Sequence, residues 1–294
     1  MEPLFANFPK VPSASPYRCE FCDGDDGREC GIRAAEEVEN VILAEGPESV
    51  AAFIAEPVTG AANAGESSHD GYFERVREIT ERHDVLLIVD EVMTGFGRTG
   101  KNFGIDHWGV TPDIITGAKG MSGGYTPVGG AMAHDRVVDV FEDLDGGFQH
   151  GHTYSFNPTS AAIGTAVLEY VRDHDLVANA AAMGEHLEAE LRALEDFAFV
   201  GDVRGKGLMW GVEFVEPGTE KAPLESTGAT FQNALFDAGL DNGILTYPSG
   251  GHVENEKGDH TLVTPPLTID EAGIAEIGSR LRATLEQVQD ELAL

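Results

Sequence analysis

The chain has 294 residues, with 51 Asp plus Glu against 19 Lys plus Arg and a formal net charge of −32. A surface this negative repels phosphate backbones and anionic bilayers, which excludes general nucleic-acid binding and membrane-surface binding. Disorder is excluded by the other side of the composition, 41% hydrophobic with 15 Phe spread along the length, enough apolar side chain for a large core. A carboxylate excess of this size fits a protein kept in solution in concentrated salt, where charges are screened within a few Å. The expectation is a halophile's cytoplasmic protein.

The first residues carry Pro3, Pro9, Pro12 and Pro16 with no apolar run of signal-peptide length. No segment approaches the roughly 20 apolar residues a membrane helix needs. Residues 1–33, rich in Pro, Gly and Asp, read as an extended arm. All three cysteines lie in it, at Cys19, Cys22 and Cys30. A CxxC pair can open a zinc or redox site, but no further Cys or His stands at short spacing, so the expected reading is reduced thiols and no metal.

Ordered structure is expected from a helix over 34–43. Apolar runs at 50–55, 85–89, 114–116 and 128–133 are too short for helices and are separated by loops or by helical spacing at 72–83. Runs that are apolar on both faces belong to a parallel sheet covered by helices, so the fold class is α/β. An Ala-rich helical stretch over 160–194 breaks near 173–175. Beyond it, strands at 200–204 and 208–214 joined through Gly-Lys-Gly, helices at 229–238 and 270–292, and a short strand at 262–264 form a smaller α+β unit, with Asp270 as a helix cap. The expected organisation is an arm over 1–33, a cofactor-binding part over 34–165, and a linking helix with a small carboxyl-terminal domain over 166–294.

Ligands of open parallel sheets bind at the carboxyl ends of the strands. Two runs end in chemistry there: one in Asp90 and Glu91, the next in Lys119 followed by Gly-Met-Ser-Gly-Gly. A lysine at the end of a buried strand is expensive unless deprotonated, paired or covalently linked. An acid at a neighbouring strand end is the other half of one solution, in which lysine holds pyridoxal phosphate and the acid holds its pyridine nitrogen protonated. Spacing alone leaves an exposed loop lysine and a turn aspartate equally open.

The strings around these residues, VDEVMTGFGRTG at 89–100 and PDIITGAKGMSGGYTPVGG at 112–130, resemble the signature of class III (omega) pyridoxal-phosphate-dependent aminotransferases. AEPVTG at 55–60, HTYSFNP at 152–158, DVRGKGLMWGVEF at 202–214 and GDHTLVTPPLTI at 258–269 resemble further family strings, in family order. The resemblance implies the type I pyridoxal-phosphate-dependent transferase fold, with a mainly parallel large-domain sheet. It makes Lys119 the Schiff-base lysine and proton shuttle, Asp90 the acid on the pyridine nitrogen, Val92 the apolar residue against one ring face, and Thr153 a phosphate contact across a homodimer interface. Gly117, Gly120, Gly123 and Gly124 are expected to let the backbone bend beside the cofactor, and Arg204 to be a structural ion-pair partner.

Two departures shape the expected reaction. Where glutamate-using relatives carry a carboxylate-binding arginine and the glutamate that holds it in reserve, this sequence has Leu262 and Ala61. The expected chemistry is therefore transamination between an ω-amino acid or amine and pyruvate or another 2-oxo acid. Family members are also considerably longer, and the GSEA-like phosphate-binding turn and ring-stacking aromatic of their amino-terminal part have no counterpart here. The resemblance thus leaves two alternatives, an aminomutase or racemase of the same fold and an inactive or split-gene fragment.

Overall fold

The computed structural model describes residues 8–22, 27–142, 144–145, 147–224, 228–254 and 256–294. Residues 1–7 and 23–26 of the expected arm lie outside the described residues. In chain order the elements are α1 (Arg28–Glu45), β1 (Ala52–Ala55), β2 (Val58–Thr59), β3 (Glu66–Ser67), α2 (Tyr72–Arg82), β4 (Leu86–Asp90), β5 (Ile114–Gly117), β6 (Gly130–Ala133) and α3 (Asp135–Glu142). They continue with α4 (Pro158–Asp173), α5 (Leu176–Arg192), β7 (Val200–Lys206), β8 (Met209–Phe214), α6 (Gly228–Asp241), β9 (Pro248–Val253), β10 (Lys257–Val263) and α7 (Glu271–Leu292).

The first sheet has the order β1-β4-β5-β6, with β1, β4 and β5 parallel and β6 antiparallel. This is the mainly parallel α/β sheet expected. Its strands alternate with helices because each short apolar run must cross over before pairing parallel again. Leu87 and Val89 of β4 are fully buried beneath Phe73, Val76 and Ile79 of α2 and Val38 and Ile42 of α1, in one continuous core. Edge strand β1 leaves Ile54 58% exposed, and all of β6 is exposed.

α1 begins at Arg28, inside the segment read as an arm ending at residue 33. Cys30, Gly31, Ala34, Ala35, Val38 and Ile42 form one buried stripe, so the first turn is helical because it packs, although Cys and Gly carry little helix propensity. Gly31 is required there, since a Cβ would run into the Asp70 carbonyl oxygen ahead of α2. The described arm, residues 8–22, has no helix or strand, yet Ala14 and Ser15 are buried.

The second sheet is antiparallel, ordered β7-β8-β10-β9, and packs against α5, α6 and α7 through Phe199, Phe214, Phe231 and Leu187. Two of its strands were obscured in the sequence. β9 contains Ser249, Gly250 and Gly251, residues of low strand propensity, and β10 starts at Lys257 rather than 262 because its polar residues Asp259 and His260 are buried by pairing with strands on both sides. Asp270 caps α7 by accepting from the Gly273 N–H at 2.9 Å, and the expected helix break falls at Asp175, with φ 51°. The boundary expected at 165 lies inside α4, which buries only Gly164. Met209 and Leu262 of the second sheet join the core of the first, fixing the two units together. Among the described residues no helix is long and apolar enough to cross a membrane.

Asp113, 1% exposed, ties three elements together. Its Oδ2 accepts from Arg77 Nη1 of α2 and from the Leu87 N–H of β4, both at 2.8 Å, and its Oδ1 accepts from Arg136 Nε of α3 at 2.5 Å. Burial pushes this carboxyl up, but bonds from Arg136, Arg77 and Leu87 outweigh it and hold the pKa at about 2. A depressed pKa stabilises the fold above the unfolded carboxylate value, and that contribution is lost as pH falls through the folded value. Asp113→Asn is expected to cost about 1–3 kcal/mol at neutral pH, the figure discounted because Arg136 is partly exposed. In urea titrations the gap between wild type and variant should hold down to about pH 4 and close toward pH 2; a gap independent of pH would contradict the assignment.

Candidate active site

Because β1, β4 and β5 run parallel and adjacent, their carboxyl ends lie along one edge of the sheet. Glu56 follows β1, Asp90 is the last residue of β4, and Lys119 stands two residues past β5. Asp90 is the register partner of Thr116, and the Glu91 N–H donates to the Thr116 carbonyl at 2.9 Å, so the exits of β4 and β5 are locked side by side. Lys119 opens a single helical turn, Lys119–Ser122, at φ 41°. That conformation is costly for a side-chain-bearing residue and is typical of functional positions.

The three charges share one field. Burial raises the Glu56 carboxyl above its ordinary range, with the Asp90 charge adding to it, while the Gly60 N–H at 2.7 Å and the Lys119 charge oppose. Asp90 is oriented by the Val92 N–H, which donates to Oδ1 at 2.9 Å; no side chain among the described residues bonds Oδ2. Lys119 is exposed and Val92 half-buried. The site thus offers an amine able to add to a carbonyl, a fixed carboxylate able to hold a protonated ring nitrogen, and a second, more buried carboxyl whose pKa is raised.

Glu56 was present in the quoted AEPVTG string but was not among the expected site residues. Its position directly after a parallel strand is the signal that marks it. Glu91, by contrast, is structural. Fully buried, it accepts from the Gly104 and Ile105 N–H groups, both at 2.8 Å, and from the Thr94 hydroxyl, so it folds the loop that underlies the site. Thr153 stands apart on an exposed loop ahead of α4.

The four glycines divide. Gly123 and Gly124, at φ 59° and 80°, adopt the left-handed backbone expected of them. Gly117 is needed for close approach, because a Cβ would press on the Phe96 ring at 2.8 Å, whereas Gly120 meets nothing closer than 3.9 Å and has no such requirement. Arg204 is the ion-pair partner expected: 8% exposed, it pairs with Glu66 at 2.9 Å and donates to Asp202 at 2.9 Å, Glu213 at 2.6 Å and Asn63 Oδ1 at 2.9 Å. Leu262 is buried in the core, and the Ala61 carbonyl lies 3.0 Å from His260 Nε2.

The neighbouring acids can be separated by experiment. Glu91→Ala strands two backbone N–H groups and a hydroxyl, and is expected to lower the unfolding free energy by about 2–5 kcal/mol. Asp90→Asn retains an acceptor for Val92 and is expected to stay within about 1 kcal/mol of wild type. Urea midpoints measure both, and equal losses would overturn the division of roles.

Known proteins resemble this chain over nearly its whole length. The family model for class-III aminotransferases matches residues 1–285. An uncharacterised aminotransferase of Bacillus subtilis is 34% identical over 290 residues, covering 98% of this chain and 64% of the relative. A diaminobutyrate–2-oxoglutarate transaminase of Halomonas elongata is 36% identical over 283 residues, 94% of this chain and 58% of the relative. The crystal structure of the omega transaminase from Pseudomonas jessenii, in complex with PMP, superposes with TM-score 0.85 at 32% identity, over 96% of this chain and 61% of the other. The chain therefore spans about three-fifths of the length of the proteins it matches. It belongs to the class-III aminotransferase family.

Proposed function

We propose that this chain supports pyridoxal-phosphate-dependent transamination between an ω-amino acid or amine and pyruvate or another 2-oxo acid. The observation that carries the reading is the pairing of Asp90 and Lys119 at the carboxyl ends of adjacent parallel strands. When bound, pyridoxal 5′-phosphate supplies an electron sink that acidifies the substrate Cα proton. Lys119 is placed to hold the cofactor through Nζ and to move that proton. Asp90, fixed by the Val92 N–H, would hold a protonated ring nitrogen through Oδ2, and the Val92 side chain would offer the ring an apolar contact. Burial and the Asp90 charge raise the Glu56 carboxyl above its ordinary range, opposed by the Gly60 N–H and the Lys119 charge.

Thr153 fits a contact made to a second copy, since its loop is exposed and borders α4, so the reading includes a homodimer with shared sites. The substrate reading rests on Leu262 and Ala61. The first is a core side chain and the second offers only its carbonyl to His260, so neither position supplies the cation or the carboxylate of a glutamate-handling switch. The compartment in this reading is a salt-rich cytoplasm, supported by the charge of −32.

The test is spectroscopic and then catalytic, in molar KCl. Protein given pyridoxal phosphate is expected to show a visible absorbance band that is absent in Lys119→Ala. Asp90→Asn is expected to keep a band while losing about 10²–10³-fold in amine transfer. A panel of amine donors against pyruvate and 2-oxoglutarate, assayed as half-reactions, sets the substrate class. Absence of the band from folded wild-type protein, or an unchanged band in Lys119→Ala, overturns the proposal.

A further inference from the structure

Far from this chemistry in sequence, the fold assembles a second cluster. Cys19, Cys22, Cys30 and His69 bring one donor atom each to within 4.8 Å of one another. Cys30 opens the buried stripe of α1 and His69 precedes α2, so a residue 39 positions further along supplies the fourth donor that the arm's own spacing lacks. The expected reading of three reduced thiols needs correcting: Cys22 and Cys30 are joined as a disulfide, and Cys19 carries a free thiol.

A disulfide accounts for two of the four groups. It gives no reason for a third cysteine and a buried imidazole to converge on the same sulfurs, with Cys22 Sγ 3.5 Å from His69 Nε2. We infer that, in the reduced protein, these four residues form a zinc site that clamps the amino-terminal arm onto α1 and the start of α2.

The donor set is Cys₃His, a combination that closes tetrahedral structural zinc sites. With Zn–S near 2.3 Å and Zn–N near 2.0–2.1 Å, tetrahedral ligand atoms stand roughly 3.3–3.8 Å apart, so the cluster needs shifts of about an ångström to close on an ion. Burial suits a closed site: Cys30 is 0% and His69 6% exposed. Three thiolates and one neutral imidazole around Zn²⁺ leave one net negative charge, and Arg33 Nη2 already donates to Cys30 Sγ at 3.4 Å while its Nε holds the Phe21 carbonyl at 3.0 Å. The backbone at His69 is fixed independently, its carbonyl accepting from Trp108 Nε1 and from the Tyr72 N–H, each at 3.3 Å. The close approach at Gly31 holds α1 against the same segment.

The states interconvert with balanced chemistry. A water-soluble phosphine supplies the two electrons that reduce the Cys22–Cys30 bond, and one water supplies the two thiol protons and the oxygen with which the phosphine leaves as its oxide. Zinc then binds three thiols with release of three protons and no electron transfer.

The test uses the full chain, reduced with a phosphine, stripped by a chelator and titrated with Co²⁺ and then Zn²⁺. The expected result is one equivalent per chain, with thiolate-to-cobalt charge transfer and tetrahedral d–d bands that zinc displaces. Cys19→Ser and His69→Gln should each weaken binding about 100-fold or more while leaving the oxidised Cys22–Cys30 pair able to form. Folded, reduced wild type that shows no thiolate–cobalt band, or a Cys19→Ser protein that binds cobalt as wild type does, overturns the inference. Should a variant fail to fold, the wild-type titration decides alone. Metal binding is read without cofactor or substrate, so its failure is distinct from failure of the transaminase reading.

Discussion

The parallel register of β1, β4 and β5 is the constraint on which the rest of this molecule depends. In an antiparallel sheet, successive strand ends alternate between edges, and Glu56, Asp90 and Lys119 could not follow three neighbouring strands out of the same edge. Parallel pairing brings them together at the cost of crossovers, and α2 and the turns after β4 occupy those crossovers. Glu91 shows how tightly the loop after β4 is tied to the strand. One residue beyond Asp90, it points inward and binds the Gly104 and Ile105 N–H groups, so the floor of the site and its acid are set by adjacent residues of opposite orientation.

A buried charge cluster orients the second unit on the first. Arg204 of β7 meets Glu66 of β3 and Glu213 of β8, and Arg18 of the arm donates to Glu213 at 2.7 Å. The two glutamates respond in opposite directions. Burial raises both, but His252 Nε2 at 3.1 Å and the charges of Arg204 and Arg18 hold Glu213 at about 2, whereas Glu66, with Arg204 as its principal counter-charge, rises to about 7. Buried ion pairs contribute little net stability over apolar packing of equal volume, and removing one partner is expensive. Their effect here is positional: the cluster joins arm, β3 and antiparallel sheet through shared charges.

The sequence was most informative where local pattern and tertiary demand agree. The apolar runs became strands within one or two residues, the break before α5 fell at Asp175, and Asp270 capped its helix. Reading failed where burial overrode composition. Cys30 and Gly31 are helical because they pack against residues 69–72, and Asp259 and His260 lie in a central strand because β8 and β9 flank them. The same limit separates the two clusters. Asp90 and Lys119 announce themselves by following apolar runs that are adjacent in sequence and in space, whereas His69 meets the arm's cysteines only after α1 and α2 have packed, a relation no local spacing encodes.

The charge balance connects these parts. With only 19 Lys plus Arg against 51 acids, the location of each cation matters more than the total. Arg77 and Arg136 surround Asp113, Arg18 and Arg204 surround Glu213, and half-buried Arg98 donates to the Leu208 and Pro265 carbonyls at 3.1 and 2.5 Å. Several of the chain's few guanidinium groups are thus engaged in or near the interior, where desolvated carboxylates and carbonyls need them. The remaining cations pair some of the surface acids, as in Arg75–Glu78, Arg192–Glu188 and Arg280–Glu276, but 19 cations cannot neutralise 51 acids, and the repulsion of the excess falls to mobile ions to screen. The acidity of the surface and the arginine pairing of the interior are therefore one distribution of charge. Among the described residues no arginine forms an ion pair with Asp90, and the cation that faces the carboxylates of that edge is Lys119.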